Sequence, residues 1–425
     1  MNERPLTRNI QPGRAPLPLP AYEQAGGYQA VRRALTSMSP GEVLDEVSES
    51  RLRGRGGAGF PTGKKWSFVS TGDEAPRPKY LVVNADEMEP GTFKDRLLME
   101  GDPHQLLEGM ILGAYAIGAE VAYLFLRAEY LIAADRLRRA ITEAGDAGWL
   151  GRDILGSGFS LEVHLHSSAG RYICGEETAL LDALEGGRAI PRAKPPFPQA
   201  SGLWGRPTVV NNVETLCNVP HIINRGAGAY RALSRGEDGG TKIYGASGHV
   251  RRPGAWELPM GTPLRELLEE HAGGMREGFA FRGVLPGGAS TDFLTDEHLD
   301  TPMDFDSVMQ AGSRLGTGML IVLDDRTCPV GLCRNLEHFF AQESCGWCTP
   351  CRDGLPWVEQ ILAAIEAGQG RPEDLELLEQ HTRLLGMGHT FCAHAPGAME
   401  PLQSALKFFR EDFERHIRER RCPYR

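Results

Sequence analysis

Residues 79–86 read KYLVVNAD, and the chain continues through HQLLEGMILGAYAIG (104–118), EVAYLFLR (120–127), EYLIAADRLRRAITEA (129–144) and SLEVHLHS (160–167). Short apolar runs of strand character alternate with longer stretches of helical period. A strand that is reached again only through a helix pairs in parallel, so this alternation predicts an α/β layer with crossover helices on a mainly parallel sheet. Ligands in such sheets gather beyond the carboxyl ends of the strands. The polar turn that follows the first strand, NADEMEPG (84–91), is therefore a candidate ligand site.

Three further stretches extend that site. GRGGAGFPTGKK (54–65) contains G-x-G-x-x-G, but EVLDEVSESRL before it is helical in pattern, whereas the standard dinucleotide turn follows a strand. What remains is a glycine-dense loop whose amides can approach a phosphate, with Arg55, Lys64 or Lys65 to neutralise it. GRYICGEET (170–178) follows a strand and opens a helix, where acidic residues are also favoured by the helix dipole alone. KPPFP (194–198) is a rigid loop that leads to a strand and the paired Asn211 and Asn212. Each motif alone also fits a surface turn; together they place several partners for ribose and heteroaromatic ring edges at strand ends.

Beyond SRGEDGGT (234–241), two strand-like runs around a Pro-Gly turn precede a short helix and the strand MLIVLDD (319–325), a small α+β module. Then come four helical stretches: NLEHFFAQ, LPWVEQILAAIEAG, DLELLEQHTRLLG and GAMEPLQSALKFFREDFERHI. They carry ESCGWCTPCRDG (343–354) and TFCAHAPGA (390–398). Cys345, Cys348 and Cys351 stand at C-x2-C-x2-C spacing and Cys392 follows about forty residues later, which favours a [4Fe-4S] cluster wrapped by one loop and closed by a distant thiolate. A structural zinc site, which usually presents two separated C-x2-C knuckles, is the competing reading.

The 425 residues are 41% hydrophobic, enough for two or three domains with their own cores. A net charge of -10 argues against nonspecific nucleic-acid binding. Nine cysteines without a paired framework suit a reducing compartment. The first twenty residues lack the apolar centre of a secretory signal and read as an extended arm. Residues 110–126 are interrupted by Glu120 and change from helix to strand, so neither half spans a bilayer. The basic tail RHIRERRCPYR reads as a solvated helix end in preference to a dock for an acidic neighbour.

Taken together, GRGGAGFPTG, NADEMEPGTFKDR, YICGEETALL, KPPFP, GLWGRPTVVNNVETLCNVP and the two cysteine motifs resemble the NADH-binding flavoprotein subunit, the F chain, of bacterial respiratory complex I. The resemblance covers nearly the whole chain. It implies a Rossmann-like α/β domain for FMN and NADH (1–236, with the arm), a ubiquitin-like β-grasp middle domain (237–327) and a C-terminal four-helix bundle with one [4Fe-4S] cluster (328–425). It implies FMN contacts from Gly54, Gly56, Lys65, Asn84, Asp86, Glu87, Gly175, Glu176, Val210, Asn211, Asn212 and Thr215. Phe60, Phe68 and Phe197 would stack around the NADH adenine, Glu177 would hold its ribose, and Glu89 and Lys194 would lie nearby. Cys345, Cys348, Cys351 and Cys392 would hold the cluster.

The implied activity is NADH:quinone oxidoreductase, with a flavin between a hydride donor and a one-electron acceptor and no side chain acting as acid or base. Implied partners are the [2Fe-2S] small subunit and the large iron-sulfur subunit of the peripheral arm, on the cytoplasmic side of the bacterial inner membrane. Cys328 and Cys333 depart from the family pattern; additional metal binding is the alternative there and small buried packing residues the favoured reading, while Cys174 also reads as packing. Two rivals stand beside this reading: the diaphorase subunit of a soluble hydrogenase or formate dehydrogenase, and a nonenzymatic nucleotide-binding scaffold stapled by zinc.

Overall fold

The computed structural model describes residues 3–13, 15–72 and 74–425. They divide into two compact units. The first holds residues up to Met88 with Phe93–Ile243 and Glu257–Gly261, the second Glu89–Thr92, Tyr244–Trp256 and Thr262–Arg425.

The first unit is built on four parallel strands, β1 (Tyr80–Ala85), β2 (Val121–Leu126), β3 (Glu162–Ser167) and β4 (Thr208–Asn212), in the order β3-β2-β1-β4. The predicted parallel layer is thus present. Among its helices, in chain order, are α1 (Pro40–Glu49), α2 (Thr62–Ser67), α3 (Lys94–Gly101), α4 (Pro103–Ile117), α5 (Leu131–Asp146), α6 (Glu177–Leu184) and α7 (Val213–Arg225). Alternate residues of β1 serve opposite faces: Tyr80 and Val82 pack with Phe125, Val210 and Leu180, Leu181 and Leu184 of α6. On the other side α4 and α7 pack against each other and against β1. All of α4 except Tyr115 is buried, which accounts for its nearly uninterrupted apolar sequence, and Gly118 ends it in the left-handed conformation that a side chain resists.

Close approach of α4 and α7 depends on Gly109. A Cβ there would stand 2.1 Å from the Leu216 carbonyl oxygen, a backbone atom that cannot swing aside. Gly109→Ala is expected to cost about 1–3 kcal/mol despite its better helix propensity, read as a lowered midpoint in urea denaturation with an unchanged slope.

The arm is not simply extended. Residues 5–9 form turns, Leu6 is fully buried, and the amides of Leu6 and Thr7 donate to the Glu257 carboxylate at 3.0 and 2.8 Å. An apolar side chain between Pro5 and Thr7 is too local a signal to reveal that anchoring.

The second sheet is mixed, in the order β6-β5-β8-β7: β5 (Thr241–Ser247), β6 (Gly254–Pro259), β7 (Phe281–Leu285) and β8 (Met319–Asp324). β8 runs parallel to β5 and antiparallel to β7. The C-terminal part of the second unit has α8 (Pro329–Glu343), α9 (Thr349–Glu366), α10 (Pro372–Leu384), α11 (His394–Phe408) and α12 (Arg410–Glu419). The last predicted helix therefore divides at Phe409, whose φ of -125° breaks the helix although the apolar period runs on through it. Four long helices and a shorter fifth replace the four expected.

Candidate functional site

The chain leaves β1 for β2 and β3 on one side, and β4 lies on the other side of β1. Such a reversal opens a crevice past the carboxyl ends of β1 and β4. Asn84 and Asn212 are partners in register across it. Asn84 Nδ2 lies 3.3 Å from the carbonyls of Cys174 and Gly175, and Ser168 Oγ donates to Asp86 at 3.0 Å, so the ends of β1 and β3 are tied together.

The glycine loop closes on this crevice. Gly54 N donates to Phe60 O and Thr62 N to Leu52 O, both at 2.9 Å, which pins the two ends of the loop. Gly57 (φ 128°) and Gly59 (φ 66°) hold backbone conformations that disfavour a side chain, and a Cβ on Gly56 would meet Asn212 Cβ at 3.0 Å. Arg55 N donates to Thr215 Oγ1 at 2.8 Å, so the loop is fastened to the first turn of α7. The Arg55 side chain is fully buried and donates to Gly239 O at 2.7 Å; it is not the phosphate-facing cation that the sequence suggested, since the loop's own backbone turns it inward. Lys64 is exposed, whereas Lys65 Nζ reaches Glu177 at 2.6 Å and Val210 O at 2.8 Å.

Several of the expected contacts have structural partners. Asn211 Oδ1 accepts from Trp66 Nε1 at 2.8 Å. Asn212 caps α7 by accepting from Thr215 N and donates to Asp95 at 2.7 Å. Glu87 caps α3, accepting from the amides of Asp95 (2.8 Å) and Arg96 (3.2 Å), and takes a third bond from Tyr130 Oη at 2.9 Å. Burial, then Asp95, pushes the Glu87 carboxyl up to about 7. Glu176 caps α6 through the amides of Thr178 and Ala179.

Beneath these caps lies a charge network that sequence reasoning missed. Lys94, Glu214 and Lys242 are fully buried; Lys94 Nζ lies 2.8 Å from both Asp95 and Glu214, and Lys242 Nζ 3.2 Å from Glu214. Burial alone would raise the Glu214 carboxyl, but Lys242, Lys94 and Arg55 outweigh it and hold it at about 2. The only signal was charged residues inside otherwise apolar elements, such as Lys242 at the start of a strand.

At the rim, Glu177 sits between Lys65 and Lys194, the latter at 2.9 Å. Burial opposes its charge, yet the two lysines lower its carboxyl below the ordinary range. Lys194 also reaches Glu176 at 3.2 Å. Phe60, Phe68 and Phe197 are 45%, 53% and 55% exposed, which for phenylalanine asks for a ligand, and the first two rings lie 6.2 Å apart. Gly175 is exposed, with nothing within 4 Å of where a Cβ would stand. Glu89 counts with the second unit, where its carboxylate accepts from Ser290 N at 2.6 Å.

In the second unit, Cys348 precedes α9 and Cys351 lies in its first turn, after a left-handed Gly346. Phe391 N donates to Cys348 Sγ at 3.3 Å across 43 residues, which brings the segment of Cys392 onto the cysteine loop. His394 Nε2 donates to Phe340 O at 2.8 Å and ties that segment to α8. Cys351 is buried, and burial pushes its thiol up to about 11, so it ionises only beside a cation. Three soft donors in one loop, with a fourth segment folded onto it, suit a metal-sulfur group. Cys333 is fully buried as expected and Cys174 belongs to the α6 core, but Cys328 Sγ lies 3.3 Å from His416 Nε2.

Three family models match the chain: the Nuo51 FMN-binding domain over residues 47–221, the SLBB domain over 245–291, and the NADH-ubiquinone oxidoreductase-F iron-sulfur binding region over 331–416. The F subunit of the Salmonella typhimurium NADH-quinone oxidoreductase is 58% identical over 415 residues, 98% of this chain and 93% of the relative; its Escherichia coli counterpart gives the same figures. The F 2 subunit of the Rhizobium meliloti enzyme is 54% identical over the full length of both chains. Among solved structures, an NAD+-reducing [NiFe]-hydrogenase in the H2-reduced state matches with a TM-score of 0.82 and 35% identity, over 96% of this chain and 67% of that one.

Proposed function

The chain belongs to the family of NADH-quinone oxidoreductase F subunits, and from that membership we propose which of its residues serve each redox group. The protein is the NADH-oxidising module of complex I: NADH reduces bound FMN, and single electrons leave through a [4Fe-4S] cluster toward the other subunits and quinone. FMN supplies the change from a two-electron hydride to single electrons that neither NADH nor the cluster can make alone.

The residues fit that flavin. Gly56 would bring its backbone amide to the phosphate, Gly54, whose N–H is held by Phe60 O, would shape the loop around it, and Lys65 would supply a cation. Asn84, Asp86, Gly175 and Val210 bring hydrogen-bonding groups to the ring and ribityl chain from the ends of β1, β3 and β4. Glu87, Glu176, Asn211, Asn212 and Thr215 act chiefly by position: their side chains already cap helices or hold neighbours, so they fix the crevice walls. Phe60, Phe68 and Phe197 would stack about the adenine, with Glu177 on its ribose and Lys194 beside it. No side chain in this set need take or give a proton.

The observation that carries the reading is the joint presence of that cradle and the four-cysteine set in one chain. Chemical analysis of anaerobically purified protein is expected to find one FMN and about four iron per chain. Zinc in place of iron together with absent FMN would overturn it. The 58% identity to F subunits against 35% to a hydrogenase favours quinone over hydrogenase partners.

Glu177 sets cofactor choice, because an ionised carboxylate accepts from ribose hydroxyls and repels a 2′-phosphate. Glu177→Gln removes the carboxylate from Lys65 and leaves Lys194 with Glu176 alone, so the site repels that phosphate less. The NADPH/NADH ratio of kcat/KM should rise roughly tenfold or more, as one charge pair near a surface is worth several kcal/mol before screening; an unchanged ratio removes Glu177 from the ribose.

The three-part division at 236/237 and 327/328 is supported by the family models, each of which falls inside one part. The β6-β5-β8-β7 order, with first and last strands parallel in the middle, supports a ubiquitin-like β-grasp, and the four long C-terminal helices support a cluster-bearing bundle. The protein works with other subunits of its complex. The [2Fe-2S] small subunit and the large iron-sulfur subunit are proposed as its direct partners, and the half-exposed Trp347 beside the cysteine loop offers an apolar contact to one of them. No helix among the described residues is long and apolar enough to cross a membrane, consistent with a peripheral place proposed on the cytoplasmic face.

A further inference from the structure

We infer that Cys328, His416 and Cys422 form a second metal site, for a soft divalent cation of the zinc class, distinct from the Cys345/Cys348/Cys351/Cys392 set. One donor atom from each lies within 4.8 Å of the other two, close enough for a single ion to draw all three into its shell. Cys328 Sγ already contacts His416 Nε2 at 3.3 Å.

The histidine is prepared for this role. Its Nδ1 lies 2.6 Å from the Asp412 carbonyl oxygen, which can only accept, so Nδ1 carries the proton and Nε2 turns its lone pair toward Cys328. A backbone carbonyl that fixes the tautomer in this way is the usual outer partner of a metal-bound imidazole. Gly331 N donates to Cys328 Sγ at 3.2 Å, a contact that favours negative charge on the sulfur. The Asp412 carboxylate is taken by Arg282 and Tyr424, and among the described residues no carboxylate joins the three donors, so the donor set stays soft.

Burial and charge agree. His416 is fully buried, Cys422 nearly so and Cys328 half-buried, which leaves one side open for water as a fourth ligand. On binding, each thiol releases its proton to solvent, and two thiolates with one neutral imidazole balance the dication, so the loaded site buries no net charge. The tail that reads as a solvated helix end instead turns at Arg420, which is left-handed (φ 53°), and carries Cys422 inward. Cys328 precedes α8 and Cys422 follows α12, so the ion clasps the two ends of the segment that holds the four cluster cysteines.

The test uses the full-length chain purified anaerobically with its iron in place. About one zinc per chain is expected beside the iron, and X-ray absorption at the zinc edge should read two sulfurs at about 2.3 Å with nitrogen or oxygen at about 2.0 Å. Cys422→Ser should lower zinc at least tenfold with iron unchanged, and Cys333→Ser, also buried on α8, should leave both unchanged. Zinc absent from the parent, a four-sulfur zinc environment, zinc retained in Cys422→Ser, or a Cys328–Cys422 disulfide in the purified chain each overturns the site. The absorption measurement on the unaltered chain decides the question even if a variant fails to fold, and iron or flavin loss in the parent bears on the redox reading alone.

Discussion

Glu214→Gln is expected to cost about 3–5 kcal/mol of folding stability, the penalty for leaving a buried charge without its partner. The carboxylate is fully buried, and it accepts from Lys94 at 2.8 Å, Lys242 at 3.2 Å and Ile243 N at 2.8 Å. A neutral amide of the same shape keeps the packing but leaves Lys94 with Asp95 as its remaining anion and Lys242 without its carboxylate. The size of the loss depends on pH. In the parent, the Glu214 carboxyl falls from 4.5 unfolded to about 2 folded, so its contribution, roughly 3 kcal/mol, is complete above the unfolded value and is lost as pH falls from there toward 2. The variant lacks that acid-side dependence. Lys242 is depressed to about 7 by burial, with Lys94 and Arg55 adding to it, so it sheds its proton as pH rises through that value. Urea denaturation should therefore show the largest deficit in the variant between pH 4.5 and neutrality, and a smaller one at alkaline pH. Equal midpoints for parent and variant near neutrality would mean that Lys94 is satisfied by Asp95 alone.

This network explains why α7 starts where it does. Asp95, at the first turn of α3, accepts from Glu214 N at 3.2 Å and from Asn212 at 2.7 Å, so the corner after β4 is fixed by residues more than a hundred positions earlier. That corner is what Gly56 and Thr215 meet from the other side. The crevice proposed for the flavin thus rests on buried charge as well as on apolar packing, and loosening the network should lower FMN affinity before it unfolds the unit.

What could be read in advance follows from which forces are local. β1, β2 and β4 were legible because a largely buried strand is mostly apolar, β3, a part-exposed edge strand, because apolar and polar residues alternate along it, and the helices between them because one face repeats every three to four residues. The glycine loop was legible as a loop, but not the direction of Arg55, since a basic residue among glycines looks the same whether it faces a phosphate or two carbonyls at Gly239 and Thr241. Lys94, Glu214 and Lys242 have no fixed spacing and meet only in three dimensions. The same holds for Cys328, His416 and Cys422, where a local view made Cys328 a packing residue and the tail a solvated end. The break at Phe409 was hidden because Phe408, Phe409 and Phe413 continue the apolar period across it.

Cys351→Ser is expected to remove the [4Fe-4S] cluster while leaving the flavin in place. Cys351 is the buried member of the set, in the first turn of α9 with Ser344 Oγ at 3.2 Å from its sulfur. A serine oxygen is a harder and less readily ionised donor in a site where burial already opposes ionisation. Loss of even an outer-shell partner costs roughly 10–100-fold in metal affinity, so loss of the ligand itself should exceed that and bring iron close to zero. The functional result is a split: NADH should still bleach the flavin absorbance in a single turnover, because every proposed flavin contact lies in the first unit. Transfer onward to quinone in the assembled complex should fall roughly hundredfold or more, in line with the lost iron. Cys333→Ser, equally buried on the neighbouring helix, should change neither. Full iron and full quinone reduction in Cys351→Ser would show that the cysteine loop is not the exit for electrons; loss of flavin bleaching as well would mean that the loop holds the crevice together rather than carrying current away from it.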